Sequence, residues 1–271
     1  MKNNIPPKLA MINDIAGYGR CSSTVSIPII SVKKVQVCPV PTSIFSNHTG
    51  FSTYFFTDYT QHMKDYLQAW EQLSLHFDGI YCGFLSSVNQ IGIVEDFVTK
   101  QNSLFILDPV LGDHGKTYRT VTKLHCEHMK NLLHKAQIIT PNITEACLLT
   151  DTAYKETFEE QKIQEILYKL SEMGPDRIVI TGIKKENEYL NYVLNQNTFD
   201  IVKTPCAGTP RPGTGDIFAS IIAADAVKGI PFPQSVISAA EFVRLCIQGA
   251  NEANIPPAEG VCFENYLEYL L

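Results

Sequence analysis

Six short apolar runs recur along the chain: "KLAMIN" (8–13), "VQVCPV" (35–40), "DGIYCG" (78–83), "LFILD" (104–108), "AQIIT" (136–140) and "RIVIT" (177–181). Each is strand-like, and all but the second lead into a turn or a helix candidate. Residues 58–75, 87–101, 122–134, 158–173, 215–228 and 233–250 carry apolar residues at helical spacing. Strands separated by helices imply a parallel sheet with helices on its faces, because a parallel pair needs a long crossover. "YLNYVLN" followed by "TFDIVKT" reads instead as a hairpin, so antiparallel strands are expected to extend one edge. No linker, repeat or low-complexity segment interrupts residues 1–271, which read as a single domain. With 45% hydrophobic and 18% charged residues, the chain can fill one sizeable core or at most two small ones.

A net charge of -6 argues against an electrostatic nucleic-acid binder, so acidic substrates must be held by local geometry. The first residues, "MKNNIPPKLAMIND", lack the pattern of a secretory signal, and no later run approaches a membrane span, so a cytoplasmic protein is expected. The eight cysteines are scattered without a CxxC pair and read as mostly buried thiols of a reducing compartment. His125, Cys126 and His128 put two imidazoles on one helical face, but no second ligand pair lies near them in sequence.

In an open α/β sheet, ligands sit beyond the carboxyl ends of the strands. Polar residues collect there: Asn13 and Asp14 after the first run, Asp108 and Asp113 around the fourth, Asn142 and Glu145 after the fifth. Each alone is also an ordinary cap or turn residue. The stretch "TPRPGTGDIFAS" (209–220) adds two glycines and an acid directly before an apolar helix. A helix starting near Thr214 leaves the amides of residues 213–216 unpaired at the positive end of its dipole, which makes an anion hole. Asp216 would repel a phosphate held there, unless it is the base that takes a proton from a hydroxyl attacking phosphorus. The plainer reading makes Thr214 or Asp216 an N-cap, which explains the helix but not both glycines. Two other phosphate motifs fail: "GKT" (115–117) has Val110 where a P-loop needs glycine, and "GYGRCS" (17–22) has Ser22 as its third fingerprint position.

"SNHTG" (46–50), "DPVLGDHGKTY" (108–118), "TPNITEACLL" (140–149) and "GTGD" (213–216) occur in the order and spacing of the pyridoxal kinases, within the ribokinase-like superfamily. The chain resembles that family over essentially its whole length, and is similar to bacterial proteins described as pyridoxamine kinases. The resemblance implies a ribokinase-like three-layer α/β/α sandwich with a mostly parallel central sheet and antiparallel edge strands. It implies ATP-dependent phosphorylation of the 5′-hydroxymethyl group of pyridoxal, pyridoxine or pyridoxamine, with ATP and Mg²⁺ as cofactors, a monovalent cation left open, and a homodimer. Position by position, Asp216 is implied as catalytic base and Gly213, Thr214 and Gly215 as the anion hole. Asp108, Asn142, Glu145, Thr181 and Gly182 fall on the ATP side, and Asp113 with Glu145 on the metal. Asn13, Asp14, His48, Thr49 and Phe84 fall around the vitamin ring.

Several of these keep a structural alternative. His48 reads equally as a packed histidine, Phe84 as core, and Asp14 as a turn cap. Better-known members carry serine, usually then histidine, where this chain has Asn13 and Asp14, and many carry tyrosine where it has Phe84. A charged Asp14 facing the pocket should favour pyridoxamine. "CAGTPRP" (206–212) reads as a water-excluding lid with Arg211 near the phosphates, or as a surface loop with an incidental arginine. The alternatives for the whole chain are a hydroxymethylpyrimidine kinase and a non-catalytic vitamer or nucleotide sensor, against which the presence of Asp216 speaks.

Overall fold

A computed structural model describes residues 5–271. In chain order the first half contains β1 (Lys8–Ala16), α1 (Ser23–Val32), β2 (Gln36–Phe45), β3 (Phe56–Asp58), α2 (Thr60–Gln72), β4 (Gly79–Cys82), α3 (Val88–Gln101) and β5 (Leu104–Leu107). There follow β6 (Gly112–Asp113), β7 (Lys116–Thr117), α4 (Lys123–Leu133), β8 (Ile138–Ile139), α5 (Ile143–Leu149) and α6 (Glu160–Glu172). The last part contains β9 (Arg177–Lys185), β10 (Glu188–Asn195), β11 (Thr198–Pro205), α7 (Thr214–Val227) and α8 (Phe232–Glu252). Nine strands form one sheet of order β11-β10-β9-β8-β5-β4-β1-β2-β3. The six apolar runs supply its parallel centre, while β3 and the β10–β11 hairpin add antiparallel edges.

Alternation along the strands sorts the core into two layers. Ala10 and Ile12 of β1 face a cluster with α2 to α6, whereas Leu9 and Met11 face one with α1, α7 and α8. The three-layer sandwich and its mostly parallel sheet are therefore as the sequence predicts. α7 is buried along nearly its whole length, which is why its sequence is apolar on every side.

Among the described residues, two α-helices lie outside the predicted set, α1 and α5. "STVSIPIISV" becomes α1 although it is β-branched and carries Pro28 in its interior. The parallel pairing of β1 with β2 demands a crossover, and that tertiary requirement outweighs local propensity. α5 has only seven residues, too short for a periodic signal. The fifth apolar run contributes only two residues to the sheet as β8.

Candidate active site

Strand order reverses at β1, which has β2 on one side and β4 on the other, so the crevice for ligands opens at the carboxyl ends of these strands. Asn13 sits there, fully buried. Its Oδ1 accepts hydrogen bonds from the backbone N–H groups of Asp14 at 3.0 Å and Phe84 at 2.9 Å. That fixes the amide orientation and leaves Nδ2 to donate to Asp216 Oδ1 at 3.4 Å. Inside the protein, the Asn13 side chain thus reaches Asp216.

α7 begins as the sequence predicts, with Gly213 as its N-cap residue at φ 83°. No side chain caps it, and Thr214 Oγ1 donates backward to the Arg211 carbonyl at 3.0 Å, so the N-cap alternative for Thr214 and Asp216 falls away. The first-turn amides lie at the positive end of the helix dipole. The two glycines serve different ends. A Cβ at Gly213 would collide with the backbone carbonyl of Arg20, whereas one at Gly215 meets nothing within 4 Å. Only Gly215 opens onto free space, and its backbone needs no glycine, whereas Gly213 takes a left-handed conformation that disfavours a side chain.

Asp216 is half-buried at the third position of α7. Burial raises its pKa above the usual carboxylate range, partly offset by the Ser22 backbone N–H and the Asn13 amide. Ser22, the residue that breaks the "GYGRCS" fingerprint, adopts φ 57° and ψ -140°, a strained conformation for serine. Nothing in the sequence marked it as part of the site.

Asp14, Asp108 and Glu145 are buried around the same crevice. No lysine or arginine pairs with any of them, or with Asp216, among the described residues. Burial pushes the Asp14 carboxyl up to about 7, with the Ser22 hydroxyl holding it down and the neighbouring Asp216 charge adding to the rise. Burial and the Asp216 charge likewise raise Asp108, whose Oδ1 accepts from Thr140 Oγ1 at 2.9 Å. Glu145 is raised by burial and by Asp108.

The Asp14 shift has a consequence for stability. The folded chain holds this proton more tightly than the unfolded chain, so unfolding releases it between about pH 4 and 7. Its stabilising contribution is complete below the ordinary carboxylate value and is lost as pH rises through the folded value. Relative to Asp14→Asn, the wild type is expected to lose roughly 2 kcal/mol between pH 5 and pH 8, read by urea unfolding. Parallel pH dependences would show that Asp14 ionises freely in the folded protein.

Asn142 and Glu145 form a capping box on α5: Glu145 N donates to Asn142 Oδ1 at 3.0 Å and Asn142 N to Glu145 Oε2 at 2.8 Å. Glu145 Oε1 also accepts from Leu111 N at 3.1 Å, so both its oxygens already hold backbone. Asp113 is exposed beside His114. Thr181 and Gly182 sit at a bulge in β9, where Thr181 N bonds to the Pro141 carbonyl at 2.9 Å beside Asn142. Tyr118, absent from the predicted set, is 40% exposed; its partial burial, followed by the charges of Glu145, Asp113, Asp108 and Asp216, raises its pKa.

Packing engages several other residues of the predicted set. His48 places Nε2 2.7 Å from the Ala258 carbonyl and accepts from Gly50 N on Nδ1 at 3.1 Å. Thr49 next to it is exposed. Phe84 is half-buried, edge-on to Phe45 at 6.0 Å, and packs on a small cluster with Ala16 and Cys21. Arg211 is buried and spends its guanidinium on the Ile255, Pro256 and Gly260 carbonyls and on Asn251 Oδ1. It ties residues 206–212 to the end of α8 instead of facing phosphates. His125, Cys126 and His128 assemble no metal site; among the described residues, no three His, Cys, Asp or Glu side chains form a group that could hold an ion. No helix among those residues is long and apolar enough to cross a membrane.

An acid at a glycine-opened helix start, over the switch point of a mostly parallel sheet, is the arrangement of a ribokinase-like phosphotransferase. The chain belongs to the phosphomethylpyrimidine kinase family, whose model matches residues 30–260. It is similar to a Bacteroides thetaiotaomicron protein described as a phosphomethylpyrimidine kinase, with 36% identity and a TM-score of 0.95 over 100% of this chain and 96% of that one. A second crystal form of that protein, with pyridoxal, gives a TM-score of 0.90 over 98% of this chain and 96% of that chain. Pyridoxal kinase from Lactobacillus plantarum is 25% identical with a TM-score of 0.92 over 98% of this chain and 96% of its own. Among curated relatives, the match spans 58% of a Schizosaccharomyces pombe protein described as a pyridoxal kinase, at 28% identity over 70% of this chain. A Haemophilus influenzae hydroxymethylpyrimidine/phosphomethylpyrimidine kinase is also 28% identical, over 61% of this chain and 63% of its own.

Proposed function

We propose that the protein transfers the γ-phosphoryl group of ATP to the 5′-hydroxymethyl group of vitamin B6 vitamers. The observation that carries this reading is Asp216, oriented by Asn13 and set at the open first turn of α7 beside Gly215. Asp216 accepts the proton of the attacking alcohol, and the amides of residues 214–216 stabilise charge on the transferring group. Phe84 offers an aromatic face beside the Asn13 end of β1, suited to a pyridine ring. The pyridoxal in the crystal form of the Bacteroides protein supports the choice of ring.

The hard oxygens of Asp108, Asp113 and Glu145 fit Mg²⁺. Asp108 and Asp113 would hold it, with Glu145 acting through water. When bound, the ion supplies neutralisation of charge on the phosphates. The family description and the Haemophilus relative support hydroxymethylpyrimidine as a second acceptor.

The test is ATP consumption with pyridoxal, pyridoxine, pyridoxamine and hydroxymethylpyrimidine side by side. Turnover of a B6 vitamer is expected; turnover of hydroxymethylpyrimidine alone would transfer the chain to the second reading. Because Asp14 ionises near pH 7, the kcat/KM of pyridoxamine relative to pyridoxal is expected to rise from pH 6 to pH 8, and Asp14→Ser should abolish the rise. The same pH dependence in Asp14→Ser would reject Asp14 as the discriminator.

A further inference from the structure

The crevice gathers four carboxylates and, on the reading above, must also take a nucleotide triphosphate, so positive charge has to come from somewhere. Two arginines of the neighbouring loops are committed, Arg211 to backbone carbonyls and Arg20 to Glu264 at 2.7 Å and the Glu259 carbonyl at 3.2 Å, whereas Arg119, past β7, is exposed and without an ion pair among the described residues. Lys33 is buried against Asp225 at 2.9 Å.

The β6–β7 hairpin offers a cation that is not committed. His114 and Gly115 form its two-residue turn, both with positive φ (49° and 74°), which suits the tight turns that match strand twist. Asp113 stands opposite Lys116 in the register. The hairpin hangs from the first turn of α5 by three hydrogen bonds. Asn142 Nδ2 donates to Gly112 O at 2.8 Å, Leu111 N to Glu145 Oε1 at 3.1 Å, and Gly115 N to Thr144 Oγ1 at 3.0 Å. Thr144 is buried, and the turn packs on Tyr154, so the tip is pinned as well as the base. These bonds hold the hairpin at the start of α5, which carries Asn142 and Glu145 at the carboxyl edge of the sheet, so the hairpin borders the crevice. Lys116 is exposed and has no ion-pair partner among the described residues.

We propose that Lys116 binds the phosphates of the nucleotide and that Thr144 is a positioning residue that holds the hairpin presenting it, an inference that rests on the kinase reading. The "GKT" that fails as a P-loop thus keeps a phosphate-binding lysine on a different scaffold. A lysine on a flexible stem suits this task, since it acts as a point charge that follows the phosphates.

Calorimetric titration of the full chain with MgADP tests this without turnover. Lys116→Ala is expected to weaken MgADP about tenfold with thermal unfolding unchanged, and Lys116→Arg to retain most of the affinity. Thr144→Val should weaken MgADP similarly, and the double variant Lys116→Ala, Thr144→Val no further, because both changes remove one interaction. Wild-type affinity in Lys116→Ala would overturn the proposal while leaving the kinase reading intact. Failure of the wild type to bind MgADP would overturn both. Should Thr144→Val not fold, the exposed Lys116 variants still decide.

Discussion

Asp216→Asn is expected to lower kcat by on the order of 10² or more while MgADP affinity stays within a few-fold of wild type. The amide keeps the shape of the carboxylate and still accepts from Asn13 Nδ2, so the start of α7 is preserved. What it loses is the ability to take the proton of the attacking alcohol. Folding separates cleanly from catalysis here, because the Asp216 charge raises the pKa of both Asp14 and Asp108. Removing that charge relieves buried repulsion, and the variant should unfold at an equal or higher urea concentration than the wild type at pH 8. A stable variant with wild-type turnover would remove Asp216 from the chemistry; a loss of turnover that tracks a loss of stability would make it merely structural. Asn13→Ala should give a smaller loss of kcat, since it frees the carboxylate to rotate without removing it.

The strands and most helices were legible because burial imposes a period that composition reveals: two residues for a strand, 3.6 for a helix. α1 was not, since its β-branched residues and Pro28 argue locally against the helix that the crossover requires. α5 leaves a trace in the Asn142 and Glu145 spacing of a capping box, the same residues that the resemblance places on the ATP side. The acids of the crevice were legible for a topological reason: parallel strands all end on one edge, so residues after them converge whatever the loops do. Partnerships were not. Arg211 in a Gly/Pro-rich loop suggests phosphate, but carbonyls 44 to 49 residues downstream capture it, and no side-chain pattern marks a carbonyl turned inward. His48 is claimed in the same way by the Ala258 carbonyl. Ser22 is hidden for the opposite reason, as a strained backbone carries no signature when the residue is not glycine.

The two glycines of the helix start are expected to fail differently when substituted. Gly213 has φ 83°, where an L side chain is strained, and its Cβ would drive into the Arg20 carbonyl, a backbone atom held in place by the Arg20 contacts to Glu264 and Glu259. Gly213→Ala should therefore cost roughly 2 kcal/mol or more of folding stability and lower activity through a displaced helix start. Gly215 has neither constraint: its added atoms meet open space, and it lies within the first turn of α7. Gly215→Val should keep a near-wild-type urea midpoint, yet lower kcat by on the order of 10², because its side chain fills the space where the transferring phosphoryl group meets the amides. Measuring kcat and unfolding for both variants separates a residue demanded by the fold from one demanded by the ligand. A fully active Gly215→Val would show that no phosphate approaches the start of α7, and the phosphoryl-transfer geometry built on that helix would fall with it.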